Sequence, residues 1–174
     1  MNTPFSDYSF RAAQPDEVDL IWPIFQDAIE KRRLEGSDQW QDGYPNPAVI
    51  HRDIAKKDGY VAIDHTGRIV GYIALIFDGE PAYDLIEGNW LTHRPFSVIH
   101  RLAVSQNPRV KGLATWMLAE AERISLEMGY LSLKADTNFD NTGMLRVFEK
   151  RGYAYCGIVY FRGAGRRAFE KKLD

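Results

Sequence analysis

Apolar positions along this chain switch between two periods, and the switches predict its elements. Ser9 to Ala12 reads as a short strand, after which Gln14-Pro15-Asp16-Glu17 sets a proline and two acids where a helix can start. Val18, Ile21, Phe25, Ala28 and Ile29 recur at helical spacing. Pro23 interrupts them by removing a donor and crowding the preceding turn, which predicts a kink or a late start there. Leu34 to Pro47 is rich in glycine, proline and aromatics, and Pro47 opens a second helix with Val49, Ile50, Ile54 and Ala55 on its apolar side. Tyr60 to Asp64 and Arg68 to Phe77 are β-prone and flank His65-Thr66-Gly67, the pattern of an antiparallel hairpin.

Asp78 to Pro95 is a polar and aromatic excursion of the length that often carries function, and Phe96 to Val104 follows as a strand. Leu113, Met117, Ala121, Ile124 and Met128 share one face of a helix from Gly112 to Met128, which Gly129 stops. Tyr130 to Asp136 alternates as a strand, and Asn141 to Arg151 places Met144, Leu145 and Phe148 on one helical face ahead of Gly152. Tyr153 to Phe161 and Arg167 to Leu173 are strands joined by a turn over Arg162 to Arg166. The order β-α-α-β-β-β-α-β-α-β-β predicts an α/β fold with a central twisted mixed sheet flanked by helices. Without a repeat or a linker-like tract, a single domain over residues 1–174 is expected.

Composition narrows the partners. A chain of 174 residues, 45% hydrophobic, can bury roughly 70% of its unfolded surface in one core. Lys+Arg of 22 against Asp+Glu of 24 gives no electrostatic reason for a nucleic acid or an anionic membrane as partner. The longest apolar blocks, such as residues 69–77, suit buried strands and fall short of the roughly 20 residues that span a bilayer. The lone Cys156 cannot close an internal disulfide, and the start lacks the basic-then-apolar order of a signal peptide, so a reducing cytoplasm is expected. No metal is expected.

Chemistry concentrates between the strand ending at Val104 and the helix opening near Gly112. The first turn of a helix carries unpaired N–H groups and about half a positive charge, so it binds a phosphate where nothing bulky blocks the approach. Gly112 and Ala114 leave that clearance, and Arg109 and Lys111 add positive charge, although both also read as solvated loop cations. The loop lacks the Gly-Lys-Ser/Thr of a Walker A and the G-x-G-x-x-G of a dinucleotide fingerprint.

At these residues the sequence resembles the GNAT (general-control-related N-acetyltransferase) superfamily, whose signature Gln/Arg-x-x-Gly-x-Gly/Ala reads here Arg109-Val110-Lys111-Gly112-Leu113-Ala114. The resemblance extends to Ile99-His100-Arg101-Leu102-Ala103-Val104, to Asn141, and to Phe148-Glu149-Lys150-Arg151-Gly152-Tyr153. It implies a GNAT-like acyltransferase fold and acetyl-CoA as cofactor. It further implies that the backbone of Leu102, Ala103 and Val104 pairs with the pantetheine arm, that Arg109, Val110, Lys111, Gly112, Leu113, Ala114 and Thr115 meet the pyrophosphate, and that Asn141 contacts the cofactor near its sulfur. Asn141 also reads as a helix cap. The family strand carries a β-bulge that aims a backbone N–H at the thioester oxygen, and nothing in the sequence locates it. Many relatives protonate the departing thiolate with a tyrosine where this chain has Phe148, which leaves Phe148 as a cofactor contact. Tyr153 and Tyr155 are candidate replacements, each also readable as a strand aromatic. Cys156, with no adjacent histidine, reads as core.

An alkylammonium must lose a proton before it attacks, so a base or a water path is needed. His93 and His100 lie closest to the cofactor strand, with Asp84 and Glu87 in the excursion before it. His100 is the candidate base, with a structural hydrogen-bonding role as the alternative. Trp40, Tyr44, Tyr83 and Trp90, with Asp84 for a cationic end, are candidate acceptor-binding residues. Covering core edges or forming a homodimer contact are their other readings. The expected function is acetyl transfer from acetyl-CoA to a small primary amine by direct attack. The rival readings are a non-catalytic acyl-CoA-binding module and an enzyme acting on protein N-termini or lysines.

Overall fold

Among the described residues the first element is β1 (Ser9–Ala12), and a 3-10 turn at Pro15–Glu17 leads into helix α1 (Val18–Leu34). The Glu17 carboxylate accepts the Gln14 N–H at 2.7 Å and pairs with Arg11 at 2.6 Å, so the acid placed at this helix start fixes the entry of the chain. The computed structural model describes residues 4–174. The helix does not begin late at Pro23: α1 starts at Val18 and runs through it. Pro23 lies in the second turn, and the carbonyl it leaves without a helical donor belongs to Asp19, an exposed residue. Next come α2 (Pro47–Ala55), capped by the Asn46 side chain accepting Val49 N–H at 3.1 Å, and the hairpin of β2 (Gly59–Ile63) and β3 (Ile69–Ile76). The Asp64 carboxylate closes that hairpin by accepting the backbone N–H groups of Thr66 and Arg68.

The excursion after β3 holds a 3-10 turn at Pro81–Leu85 and a two-residue strand β4 (Glu87–Gly88). Then follow β5 (Phe96–Val104), α3 (Leu113–Glu127), β6 (Ser132–Thr137), α4 (Thr142–Arg151), β7 (Ala154–Phe161) and β8 (Ala164–Lys172). The expected five-residue turn between the last two strands is shorter. Arg162 at φ +50 and Gly163 at φ +78 turn the chain alone, and Phe161 pairs with Ala164.

The strand order is β1-β2-β3-β5-β6-β8-β7-β4. Strands β5 and β6 run parallel in the register Phe96↔Ser132 to Ile99↔Ala135, whereas β1–β2, β2–β3, β6–β8, β7–β8 and β4–β7 are antiparallel. This is the mixed α/β architecture expected from the element order.

The chain forms two compact units, and β3, β5 and α3 contribute residues to both. The first comprises residues up to Ala74 together with Arg101–Met117. Its core joins Val18, Ile21 and Phe25 of α1, Ile50 and Ile54 of α2, Val61 and Tyr72 of the hairpin, and Ala103 of β5. Phe25 stands 5.4 Å from the Tyr72 ring and 5.7 Å from that of Trp40. The second comprises Leu75–His100 and Leu118–Asp174. There Tyr83, Val98, Val159 and Ala168 form a core with Trp90, Phe96 and Phe161 against it. Glu170, fully buried on β8, accepts hydrogen bonds from Leu91 N–H, Thr92 Oγ1 and Ser132 Oγ, which anchors the end of the excursion to the sheet.

Candidate active site

In the first unit β5 passes into the loop that the sequence singles out. Ser105 N–H donates to the Val70 carbonyl at 2.7 Å, Gln106 Nε2 to the Val104 carbonyl at 2.9 Å, and Arg68 Nη2 to the Asn107 carbonyl at 2.6 Å, so the N-terminal side of the turn is tied down. Gly112 adopts φ +84 and its carbonyl accepts Trp116 N–H at 3.0 Å, which starts α3 one residue later than expected. Leu113 N–H donates to Val110 at 3.3 Å. Ala114 and Thr115 fall among the first-turn positions whose amides have no acceptor within a helix. The atoms nearest to a Cβ placed on Gly112 are ring carbons of Phe5 at 3.8 Å, so the helix start is open on that side. Arg109 and Lys111 are exposed and carry their charge to the same loop.

Upstream, one residue of β5 departs from strand geometry. Arg101 has φ +54, a left-handed conformation that an arginine seldom adopts and that turns the flanking peptide planes out of the regular pleat. Its guanidinium pairs with Asp53 of α2 through two bonds, 2.9 Å from Nε and 2.6 Å from Nη2, while Nη1 donates to the Tyr44 hydroxyl at 2.6 Å. Asp53 also accepts the Tyr72 hydroxyl at 2.8 Å. Burial first, then the charge of Asp53, raises the pKa of Tyr72 far above that of an ordinary tyrosine. The approach of Tyr72 depends on Gly59, since a Cβ there would lie 2.9 Å from the Tyr72 hydroxyl.

A second polar cluster occupies the other unit. His100 Nε2 lies 3.0 Å from Glu80 Oε2 and Nδ1 lies 3.8 Å from Asp136 Oδ2. The imidazole side chain is 15% exposed and Asp136 only 2%. Asp136 also accepts the Tyr83 hydroxyl at 2.7 Å and stands 3.6 Å from Arg166. The tautomer that donates Nε2–H to Glu80 leaves Nδ1 as the nitrogen with a free lone pair.

Other sequence candidates take varied places. Tyr83, a candidate for acceptor binding, is only 1% exposed and packs in the core of its unit, and burial followed by the charge of Asp136 holds its pKa well above the ordinary value. Trp90 donates from Nε1 to the Tyr83 carbonyl at 2.9 Å, and the Lys134 ammonium stands 4.3 Å from its ring centroid and 3.8 Å from that of Phe96. Burial lowers the pKa of Lys134, with Glu170 opposing the shift. Asp84 is exposed on the 3-10 turn. Trp40 packs on the core of its unit, whereas Tyr44 reaches Arg101.

Asn141 caps α4 by accepting Met144 N–H at 3.1 Å. Phe148, 1% exposed, lies 4.8 Å from the ring of Phe169 and 5.3 Å from that of Tyr153. Tyr153 is buried, and burial first, then Glu122, raises its pKa well above normal. Burial also raises the pKa of Cys156, the opposite of an activated thiolate. Glu80, Asp136 and Asp53 are the functional candidates that sequence reasoning missed. Glu80 carried a faint signal, as an acid in the same excursion as Asp84 and Glu87.

Comparisons with known proteins bear on the whole chain. A family model described as the acetyltransferase (GNAT) family matches residues 19–153. A protein of Bacillus subtilis (strain 168), YwnH, named as a candidate phosphinothricin acetyltransferase, is 31% identical over 160 residues, 86% of each chain. The crystal structure of a GNAT-family acetyltransferase from Streptococcus agalactiae 2603 is 34% identical, covers 96% of both chains and superposes with a TM-score of 0.87. The acetyltransferase candidate yncA of Salmonella typhimurium, solved with its cofactor acetyl-CoA, shares the fold at 13% identity, covering 97% of this chain and 95% of its own with a TM-score of 0.68.

Proposed function

Because this chain belongs to the acetyltransferase (GNAT) family, we propose that it moves an acetyl group from acetyl-CoA to the primary amine of a small acceptor by direct attack. The observation that carries the reading is the start of α3. Gly112 at φ +84 leaves the approach open, helix geometry leaves the Ala114 and Thr115 amides to donate outward, and Arg109 and Lys111 are exposed beside them. These groups fit a pyrophosphate. Acetyl-CoA bound there supplies an activated acetyl thioester.

The chain's own residues do the rest. Residues 109–115 bind and neutralise phosphate charge. The backbone of Leu102, Ala103 and Val104 orients the arm of the cofactor, and the positive φ of Arg101 redirects a peptide N–H of β5 to polarise a carbonyl. His100, steered by Glu80, takes the proton from the acceptor ammonium at Nδ1. No tyrosine stands at position 148, so the sulfur departs as a thiolate, hydrogen-bonded by water or a backbone N–H and protonated from water, which a thiol's acidity permits.

Phosphinothricin enters the list of acceptors to test through the name of the Bacillus relative. Mass spectrometry of a panel of primary amines incubated with the protein and acetyl-CoA tests the reading. One or more acceptors should gain a single acetyl group. A panel that stays unmodified while protein N-termini or lysines gain acetyl groups would move the acceptor to the protein class.

A further inference from the structure

An arginine has no intrinsic reason to sit at φ +54 within a strand. Glycine, asparagine and aspartate tolerate the left-handed region, whereas a long side chain is disfavoured there and relaxes to the β region unless something holds it. In β5 the holding groups are visible. Asp53 grips the guanidinium through both carboxylate oxygens, Tyr44 takes the remaining nitrogen, and Tyr72 fixes Asp53 from the other side. The pair is secluded, with the Arg101 side chain 11% and the Asp53 side chain 7% exposed, so exchange with water does not loosen it. A planar guanidinium held by two parallel bonds has little freedom to rotate, and that rigidity is passed to its own backbone.

We propose that Asp53 is a positioning residue, which holds the positive φ of Arg101 through this ion pair and thereby sets the direction of the peptide N–H offered to the thioester. The inference rests on the acetyl-transfer reading above. Both partners of Arg101 come from one stretch, Tyr44 to Ala55, so the segment that opens and forms α2 governs the geometry of β5. The alternative is a pair that serves stability alone, with the strand keeping its conformation whether or not Asp53 is charged.

The test compares wild type with Asp53→Asn, Asp53→Ala and the double variant Asp53→Ala/Arg101→Gly. Crystal structures give φ at residue 101, calorimetry gives CoA affinity, and turnover is normalised to folded protein. Loss of the clamp lets residue 101 revert to the β region, so kcat of Asp53→Asn should fall about tenfold, the population equivalent of a left-handed penalty of ~1.4 kcal/mol. CoA affinity and the KM for acetyl-CoA should change less than about twofold, because the pyrophosphate loop is untouched. In the double variant glycine takes a positive φ without strain, and kcat should return to within about threefold of wild type. If Asp53→Ala fails to fold because it leaves Arg101 buried without its partner, the other two variants carry the test. An Asp53→Asn protein whose residue 101 keeps φ near +54 and whose kcat is unchanged overturns the proposal, and so does a double variant that recovers nothing. A wild-type protein that binds CoA and acetylates no amine overturns the acetyl-transfer reading instead; φ at residue 101 in the variants then decides the clamp alone.

Discussion

His100 Nε2 and Glu80 Oε2 lie 3.0 Å apart, an acid from the excursion after β3 steering a histidine on β5. Replacing His100 by Gln keeps the hydrogen-bonding shape and removes the basic nitrogen. The kcat for an amine acceptor should fall about 10²-fold with little change in CoA affinity, and Glu80→Gln should cost about tenfold through loss of ring orientation. Steady-state kinetics and calorimetry check both. Full activity in His100→Gln would leave deprotonation to water.

Gly112→Val tests the loop. The protein side of Gly112 is open, so a side chain meets strain from φ +84 rather than a clash, at a cost of about 1–2 kcal/mol in stability. The same side chain would stand where phosphate oxygens approach, and CoA affinity by calorimetry should drop at least about tenfold. Retained affinity would remove the loop assignment.

Phe148→Tyr restores the side chain that many relatives carry, but the ring is buried between Tyr153 and Phe169. A hydroxyl placed there without a partner should lower stability by about 1–3 kcal/mol, and kcat should stay within about twofold. Thermal unfolding and turnover measured on one preparation separate the effects. A sharp rise in kcat would identify a missing acid as the step limiting the natural protein.

Alkaline pH probes the buried phenols. Tyr72, Tyr83 and Tyr153 have pKa values raised chiefly by burial, so the folded state keeps protons that the unfolded chain gives up near pH ~10. Their stabilising contribution is complete below that pH and declines as pH rises past it. The decline is about 1.4 kcal/mol per pH unit for each group, or ~4 for the three together. Phenolate absorbance of these tyrosines should appear only with unfolding; reversible titration of all tyrosines in folded protein would contradict the burial.

Much of the frame was legible because local pattern and tertiary demand agree. The strand from Phe96 to Val104 and the helix after Gly112 are written in apolar spacing, and the glycine that opens the helix is itself the phosphate-clearance signal. The departure from strand geometry at Arg101 was not legible, since no local feature asks an arginine for a positive φ. Its cause is Asp53, 48 positions away. The two-residue β4 is too short for any period, and it forms where Gly88 and Gly157 let two backbones approach closely. The helix through Pro23 and the two-residue turn at Arg162-Gly163 misled in opposite ways. One carries a breaker that its exposed side tolerates; the other forms where Arg162, not only a glycine, takes a positive φ.

The proposed activity requires that acetyl-CoA held at the loop from Arg109 to Ala114 be used for acetyl transfer and not only bound. Thiol release from acetyl-CoA, followed continuously against a panel of primary amines that includes phosphinothricin, tests it on protein whose CoA affinity has been measured by calorimetry. The expected result is tight binding together with amine-dependent, saturable thiol release that His100→Gln suppresses. Tight binding with no thiol release from any amine would contradict it and leave a module that holds acyl-CoA without transferring the acyl group.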